Sequence, residues 1–158
     1  MNPIVKKIRT IANVGLYGSL GVSVLTLALF FFWHYRFYVN EAGFRFMLIA
    51  GSVLAVLALA VILLVVRCAV PRLRQLDDVD QKLSEYYRLM ANLYRGSLGV
   101  VVAECVLITL SHANQLFMLL MVLVLLLFLV YPNMLKLKVD LGLNDEQMDA
   151  LFGTEYKS

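Results

Sequence analysis

Four long apolar blocks divide this chain, and they restrict its fold more than any other feature. They cover about residues 11–33, 44–66, 94–111 and 115–131. A helix of about 20 apolar residues crosses the hydrocarbon core of a bilayer. The chain is 61% hydrophobic and 16% charged, whereas soluble domains have about 45–50% apolar and about 25% charged residues. We therefore predict an all-α, polytopic membrane protein, in which a single domain forms a four-transmembrane-helix bundle of two hairpins.

The distribution of Lys and Arg predicts which side of the membrane each segment occupies. With four crossings, all but two of the 14 basic residues share one side, and the exceptions are Arg36 and Arg45. Because cytoplasmic loops are rich in Lys and Arg, both termini and the loop between the second and third helices are predicted to be cytoplasmic. Aromatic residues that fall at the predicted interfaces, where Trp and Tyr are enriched, are Trp33, Tyr35, Tyr38, Tyr94 and Tyr131.

Topology also accounts for the formal net charge of +3, because the basic residues flank the apolar blocks. The predicted partner of these residues is therefore the lipid bilayer, and no nucleic acid is expected. The loops are compact and contain no Asn-x-Ser/Thr sequon, so glycosylation is not indicated. We expect a multi-pass protein of a bacterial inner membrane.

The loop between the second and third blocks carries a heptad-like apolar stripe. Pro71 is expected to end the second helix, and a cytoplasmic amphipathic helix over about 76–95 is expected to continue directly into the third crossing. Asp78 and Lys82 are four residues apart and can pair weakly on this helix. The stripe comprises Leu76, Val79, Leu83, Tyr86, Met90 and Leu93. Two interpretations of its cover are open: the chain's own cytoplasmic ends or the bilayer surface, and a dimer or partner-protein contact.

The cytoplasmic tail, residues 132–158, contains the pattern of a short helix over about 145–152. Asn144 is the expected N-cap, and Gln147 completes a capping-box-like pair three residues later. Gly153 is a natural residue just beyond the C-terminus of such a helix. Its apolar side, formed by Met148, Leu151 and Phe152, requires a cover, which is either the bundle's own cytoplasmic face or another protein.

An internal repeat is indicated by the string Gly-Ser-Leu-Gly-Val, which occurs at residues 18–22 and again at 96–100. The same offset carries His34 onto His112. Because both strings begin on the predicted cytoplasmic side, the repeat would be parallel, with its axis along the membrane normal. Coincidence between two segments rich in Gly, Val and Leu is the alternative interpretation.

Small residues are concentrated in the first three apolar blocks. In lipid, small side chains let helix backbones approach closely, so we predict packing roles for Gly15, Gly18, Ser19, Gly21, Gly51, Gly96 and Gly99. The fourth block is rich in leucine and has almost no small or polar residue. We therefore expect the first three helices to form the interior and the fourth to face lipid.

Glu104 is the residue that most clearly calls for a function, because it lies near the middle of the third crossing. An ionisable side chain at that depth costs a few kcal/mol or more and usually faces the bundle interior. Arg45 is the nearest predicted cation, although it must reach inward by about 11 Å. The repeat places Glu104 opposite Thr26. Candidate hydrogen-bond partners are Ser23, Thr26, Ser52 and Thr109.

Three interpretations of Glu104 are open. A protonated Glu104 could bond a neighbouring helix and aid assembly, or it could bind a proton, a cation or a cationic substrate in a transport cycle. Pairing with a lipid headgroup or a partner subunit is the third. Small multidrug exporters with four helices also use one membrane glutamate, but this chain shares neither their motif nor the placement of the acid, so that comparison is analogy.

No catalytic, metal or cofactor site is predicted. The chain lacks a Ser-His-Asp, paired-carboxylate or H-E-x-x-H arrangement, and the catalytic motifs that these represent are the expected signs of an enzyme. Cys68 and Cys105 lie at depths too different for a disulfide. His34 and His112 are expected to be solvated interfacial residues, since a metal site usually needs three or four ligands.

Two functional hypotheses follow. The first is a non-enzymatic structural or accessory subunit that assembles with itself or with other membrane-protein subunits through its small-residue faces and cytoplasmic helices. The second is a small proton- or cation-coupled transporter or channel protomer that uses Glu104, with Ser23, Thr26 and Arg45 as the surrounding candidate residues.

Overall fold

A computed structural model of the chain describes residues 2–32 and 40–152. The regular secondary structure of this part of the chain is entirely helical, which confirms the predicted all-α class. The elements are α1 (Pro3–Phe32), α2 (Glu41–Leu64), a π-helical turn (Val65–Ala69), α3 (Val70–Leu73), α4 (Val79–Ser111), α5 (Asn114–Leu129), α6 (Met134–Leu141) and α7 (Asp145–Phe152).

Three described helical segments are long and apolar enough to cross a membrane. They are α1, the run from α2 to Leu73, and α4. A fourth segment qualifies if α5 and α6, which are bent by 78° relative to each other, are taken as one broken span. Length and composition therefore give the chain the character of a membrane protein with three to four spans.

The end of α2 differs from the sequence prediction, because Pro71 does not break the helix. The helical path continues through the π turn and ends only at Leu73. Proline lacks an N–H and its ring clashes with the carbonyl four residues earlier in a regular α-helix. In the π turn, the N–H of Val70 bonds to the carbonyl of Val65. This wider turn just before the proline provides the room that its ring requires.

Helices α1 and α4 pack side by side and run in the same direction. Near one end, Gly15 lies against Tyr94. Near the other, the rings of Phe30 and His112 are 5.4 Å apart. Helix α4 is continuous over 33 residues, and its first half packs into the same core as the start of α1. His112 ends it in a left-handed conformation (φ 52°), which starts the short turn into α5.

The expectation that the fourth apolar block faces lipid is wrong. Helix α5 buries Leu116, Leu120, Leu123 and Leu127 completely, whereas α2 buries only three of its 24 residues. Leucine packs equally well against lipid and protein, so the leucine content of a span does not tell which side it faces. The spacing of these leucines by three and four residues marks one helix face, and that face fills the interior.

Both described termini lie at the same end of the bundle, which we call the terminal end. The backbone N–H of Asn2 donates to the carbonyl of Leu151 at 2.7 Å, and the Arg9 guanidinium lies over the Phe152 ring. The apolar side of α7 is buried there, as is the stripe of α4 at Leu83, Tyr86 and Met90. The chain's own ends therefore cover both of these amphipathic faces.

The tail contains one helix that the sequence predicted and one that it did not. In α7, Asn144 and Gln147 exchange hydrogen bonds of 2.8 and 3.0 Å between side chains and backbone N–H groups. Helix α6 was missed. Asn133 caps its start by accepting from the Lys136 N–H, and Gly142 ends it at φ 63°, so both local signals were present in the sequence.

Candidate functional site

Glu104 lies in the interior of the bundle with its carboxyl group completely buried. Neither Oε1 nor Oε2 has a hydrogen-bond partner among the described residues. The residue is about 10 Å from the end of α4 at Ser111, at 1.5 Å per helical residue. More than nine in ten buried polar groups in native proteins have a partner. A buried carboxyl group with two unpartnered oxygens is therefore the most unusual polar feature of the described chain.

The buried face of α4 shows the direction in which Glu104 points. Val101 and Ile108 lie one turn before and one turn after it on the same helix face, and both are 0% exposed. Side chains three and four residues apart project from one side of a helix. Glu104 cannot reach the surface unless this whole face of α4 turns outward, so its burial is a property of the bundle and not of one side-chain rotamer.

Gly51 of α2 and Leu116 of α5 lie close to the carboxyl group. A Cβ atom built on Gly51 would lie 3.2 Å from Glu104 Oε2 and 2.7 Å from Leu116 Cδ2. The absence of a side chain at Gly51 is therefore what allows Glu104 and Leu116 to meet between these helices. The carboxyl group is enclosed by an apolar contact in which no hydrogen-bond donor faces it.

Three of the four predicted hydrogen-bond partners of Glu104 bond to their own helices instead. Ser23 donates to the carbonyl of Ser19 at 2.8 Å, and Thr26 donates to the carbonyl of Val22 at 2.9 Å. Thr109 donates to the carbonyl of Cys105 at 2.7 Å. These bonds span four residues within one helix, the usual arrangement for Ser and Thr inside helices. The predicted interhelical bond from Glu104 to Ser23, Thr26, Ser52 or Thr109 is therefore not formed.

The predicted approach of Arg45 to Glu104 is wrong. Arg45 instead bonds Glu41 at 2.6 Å, and the two side chains are 72% and 79% exposed. Glu41 is one turn away on the same helix, so the pair forms without any change in the path of the chain. Reaching Glu104 would require the guanidinium to enter the apolar interior about 9 Å further along α2, which costs desolvation energy.

A second feature is an exposed strip along α4, which comprises Asn92, Gly96, Gly99 and Ala103. Asn92 and both glycines are exposed, and Ala103 is partly exposed. On one side of the strip is a groove of about 350 Å³ between α2 and α4, lined in part by Ala58, Gly96 and Ser97. On the other side, α1 and α4 form a groove lined in part by Thr26, Val102 and Thr109. The strip therefore lies between two grooves, one formed with α1 and the other with α2.

The glycines predicted to pack helices fall into three groups. A Cβ on Gly15 would lie 2.7 Å from Tyr94 Cβ, so Gly15 is at a close helix contact, as Gly51 is. A Cβ on Gly18 would make an ordinary contact of 3.5 Å with Leu98. At Gly21, Gly96 and Gly99 such an atom would meet nothing within 4 Å. The chain itself therefore does not use these last three glycines for tight packing.

Ser19 shares part of the behaviour of Glu104. It is fully buried in α1, and its Oγ has no hydrogen-bond partner among the described residues. The residue at the matching position of the second Gly-Ser-Leu-Gly-Val string, Ser97, is 5% exposed. Both serines therefore face inward from the two parallel helices.

A cluster of charged and polar groups joins α3, α4 and α6 at the terminal end, and the sequence prediction missed it. Tyr86 donates to Asp140 Oδ2 at 2.9 Å, and Lys136 Nζ lies 3.5 Å from Asp140 Oδ1. Lys82 donates to the carbonyl of Leu141, and Arg74 donates to that of Asp140, both at 3.3 Å. Positive groups stabilise the C-terminal end of a helix, so the two cations hold the end of α6.

The predicted pair of Asp78 and Lys82 is wrong, because each side chain has another partner. Asp78 is the N-cap of α4 and accepts hydrogen bonds from the N–H groups of Asp80 and Gln81. Lys82 is nearly buried and turns toward α6.

Cys68 is exposed and Cys105 is buried, and neither is in a disulfide. Predictions for Trp33, His34, Tyr35, Arg36, Tyr38, Gly153 and Lys157 lie outside the described residues.

Comparisons of the chain with protein-family models, with curated proteins and with solved structures found no match. Among the described residues, no group of three or more His, Cys, Asp or Glu side chains could hold a metal ion.

Proposed function

We propose that this chain is a four-span protein of a bacterial inner membrane with both termini in the cytoplasm. In this topology α5 is the fourth span, and the bend at Pro132 directs α6 along the membrane surface. The distribution of basic residues supports this orientation, and the contact of Asn2 with Leu151 supports a common side for the two ends. The terminal end is then the cytoplasmic end.

We further propose that the two halves of the chain are a parallel repeat. Equivalent residues of the two Gly-Ser-Leu-Gly-Val strings are separated by 78 positions. Contacts between α1 and α4 join residues at nearly the same separation, as in Gly15 with Tyr94 and Gly18 with Leu98. Equivalent positions are therefore at the same depth, as a repeat axis along the membrane normal requires.

The function that the geometry supports best is non-enzymatic assembly within the membrane, and we propose a homodimer formed through the α4 strip. The carrying observation is that Gly96 and Gly99 are exposed, with nothing within 4 Å of the position of a Cβ atom. Helices associate in lipid where small residues let backbones approach, and polar side chains add hydrogen bonds. The strip offers both, because Asn92 lies on the same face one turn before Gly96.

A second copy is the occupant that suits this strip. Two α4 helices with the same orientation in the membrane can meet about a two-fold axis, so that each strip faces an identical strip. Asn92 of one copy would then lie near Asn92 of the other, and an asparagine can donate and accept at once. Helices α1 and α2, which flank the strip, would add apolar contacts on both sides.

The test is a measurement of stoichiometry in lipid vesicles by single-molecule photobleaching of protein carrying one fluorophore. Wild-type protein and the variants Gly96→Leu and Gly99→Leu are compared at equal density. We expect two bleaching steps for the wild type and one step for the variants, because a leucine in the strip would hold the α4 helices of the two copies apart. Ala60→Leu is the matched control, since Ala60 is exposed on α2 away from the strip.

A single step for the wild type would overturn the homodimer. If the native complex then contained another protein, and Gly99→Leu released that protein, the strip would belong to a hetero-oligomer instead. Loss of the dimer in Ala60→Leu to the same degree as in Gly99→Leu would show that the strip has no specific role.

A second candidate function is a proton- or cation-coupled transporter or channel protomer that uses Glu104. The unpartnered, buried carboxyl group supports it, because ionisable residues inside membranes commonly belong to proton or ion pathways. The test is flux into liposomes by wild-type and Glu104→Gln protein. Equal proton or cation flux from both proteins would rule this function out, and loss of flux in the variant would support it.

A further inference from the structure

The contact of Glu104 with Gly51 and Leu116 has a chemistry of its own. The carboxyl oxygens are buried and unpartnered, and the groups that meet at this point are a glycine and a leucine side chain. A charged carboxylate moved from water into apolar surroundings without partners costs many kcal/mol, whereas the neutral acid costs only a few. The packing seen here therefore fits the neutral acid.

Among the described residues, no charged group forms a hydrogen bond or an ion pair with the Glu104 carboxyl group. Helix α5 contains no titratable residue from Asn114 to Leu129, and on α1 the only titratable residue after Arg9 is the exposed Tyr17. On α2, Arg45 and Glu41 are exposed and paired with each other. On α4 the neighbouring titratable group is the buried thiol of Cys105. His112, in the turn that follows, packs against Phe30.

A metal cation suits this position less well than a proton. Ca²⁺ and Mg²⁺ take six or more oxygen ligands, and Mg²⁺ keeps several waters. Among the described residues, Glu104 belongs to no group of three or more His, Cys, Asp or Glu side chains that could hold a metal ion. The hydroxyl groups of Ser23, Thr26 and Thr109 are bonded to their own helix backbones. The space beside Oε2 is also occupied, because a single added carbon at Gly51 would already be 3.2 Å away.

We propose that Glu104 is a proton-binding site, and that Leu116 can rest against Gly51 only while the proton is bound. Loss of the proton leaves a carboxylate that requires water, and we place the entry of that water at Leu116, which packs against Gly51 beside Oε2. Release of the proton therefore separates α2 from α5 at the contact of Gly51 with Leu116, which we call the α2–α5 seam. The inference rests on the Glu104 site of the second candidate function, but it does not require that the protein transports anything.

The test combines infrared difference spectroscopy with cysteine labelling, both on full-length protein in lipid nanodiscs. The first measurement compares acidic and alkaline buffers. Wild-type protein should show the C=O stretch of a protonated carboxylic acid, lost on alkalinisation, and Glu104→Gln should lack that change. Gln is the neutral isostere and retains the packing of the protonated acid.

The second measurement follows the opening of the α2–α5 seam by the labelling rate of a cysteine placed beside it. Ala55 is completely buried one turn from Gly51 on the same face of α2, and Ala55→Cys is introduced with Cys68→Ser and Cys105→Ala. At alkaline pH a water-soluble maleimide should label Ala55→Cys about tenfold or more faster in the Glu104 protein than in the Glu104→Gln protein, as expected when local opening governs access to a buried group. At acidic pH the two rates should be equal.

The absence of any carboxylic-acid band that depends on Glu104 would overturn the proposal, as would equal labelling rates at alkaline pH. If Glu104→Gln cannot be purified, the pH midpoint of the wild-type band must coincide with that of Ala55→Cys labelling, after each labelling rate is divided by the rate for a small free thiol at the same pH, because the thiolate is the reactive form. Different midpoints would refute the coupling. A protein that passes these tests without supporting ion flux would retain the proton site while excluding the transport function.

Discussion

Tyr86 donates a 2.9 Å hydrogen bond to Asp140 Oδ2, and this bond joins the first half of α4 to α6. Both residues are buried at the terminal end, and Tyr86 is 0% exposed. The residues are 54 positions apart in the sequence. The bond therefore ties the tail of the chain to the long helix, and its removal should weaken a contact that holds α6 and α7 in place.

Tyr86→Phe should lower the free energy of unfolding by about 1.5–3 kcal/mol, the range for hydrogen bonds to charged groups. The substitution keeps the aromatic ring and removes the hydrogen bond to a buried carboxylate, which retains its ion pair with Lys136. Thermal unfolding in detergent, followed by circular dichroism, measures the loss. Tyr87→Phe is the control, because Tyr87 is partly exposed. A melting temperature equal to that of the wild type would show that the bond does not contribute to stability.

Gly15→Ala and Gly18→Ala should differ in sign. The added carbon at Gly15 would lie 2.7 Å from Tyr94 Cβ, an atom fixed close to its backbone, whereas at Gly18 it would make a 3.5 Å contact with the end of Leu98. Gly15→Ala should therefore destabilise by about 1–3 kcal/mol, as overpacking does. Gly18→Ala should be neutral or stabilising by up to about 1 kcal/mol, because alanine favours a helix.

Denaturation of both variants in the same detergent checks this difference. The two glycines are one turn apart on α1, so each variant serves as the control for the other. Equal stability of the two proteins would mean that α1 and α4 are further apart than the contact at Tyr94 requires.

The turn after α4 allows a third comparison. His112 has a left-handed backbone, which costs about 1–2 kcal/mol for most residues but not for glycine. His112→Val should therefore be less stable than His112→Gly by about that amount, and both variants lose the contact with Phe30 equally. Unfolding of the two proteins side by side tests this. A more stable valine variant would contradict the left-handed turn.

Local signals explain how much of the fold could be predicted. The capping pair of Asn144 and Gln147 and the apolar spacing around Met148 involve only neighbouring residues, and the predicted helix over 145–152 has the bounds of α7. Helix α6 had signals of the same kind in Asn133 and Gly142, and it could have been found. The π turn before Pro71 could not be found, because the same sequence is compatible with a helix that ends before the proline and with a helix that widens into a π turn.

The candidate site was predicted only in part, because depth in the membrane can be derived from the sequence but direction cannot. The position of Glu104 within an apolar span indicated burial. Its neighbours depend on how α2 and α5 are rotated, and nothing local distinguishes Gly51, which contacts Glu104, from Gly96, which is exposed. The leucines of α5 posed the same difficulty, since lipid and protein are equally apolar to them.

Cys68 can report the proposed topology without any substitution. It is exposed at the end of α2, whereas Cys105 is buried, so a membrane-impermeant maleimide should label only Cys68. With both termini in the cytoplasm, labelling should occur in inverted membrane vesicles and not in right-side-out vesicles. Cys68→Ser should abolish it. In that background Gln115→Cys, exposed in the first turn of α5, should label from the opposite side. Labelling of both positions from one side would mean that α4 does not cross the membrane.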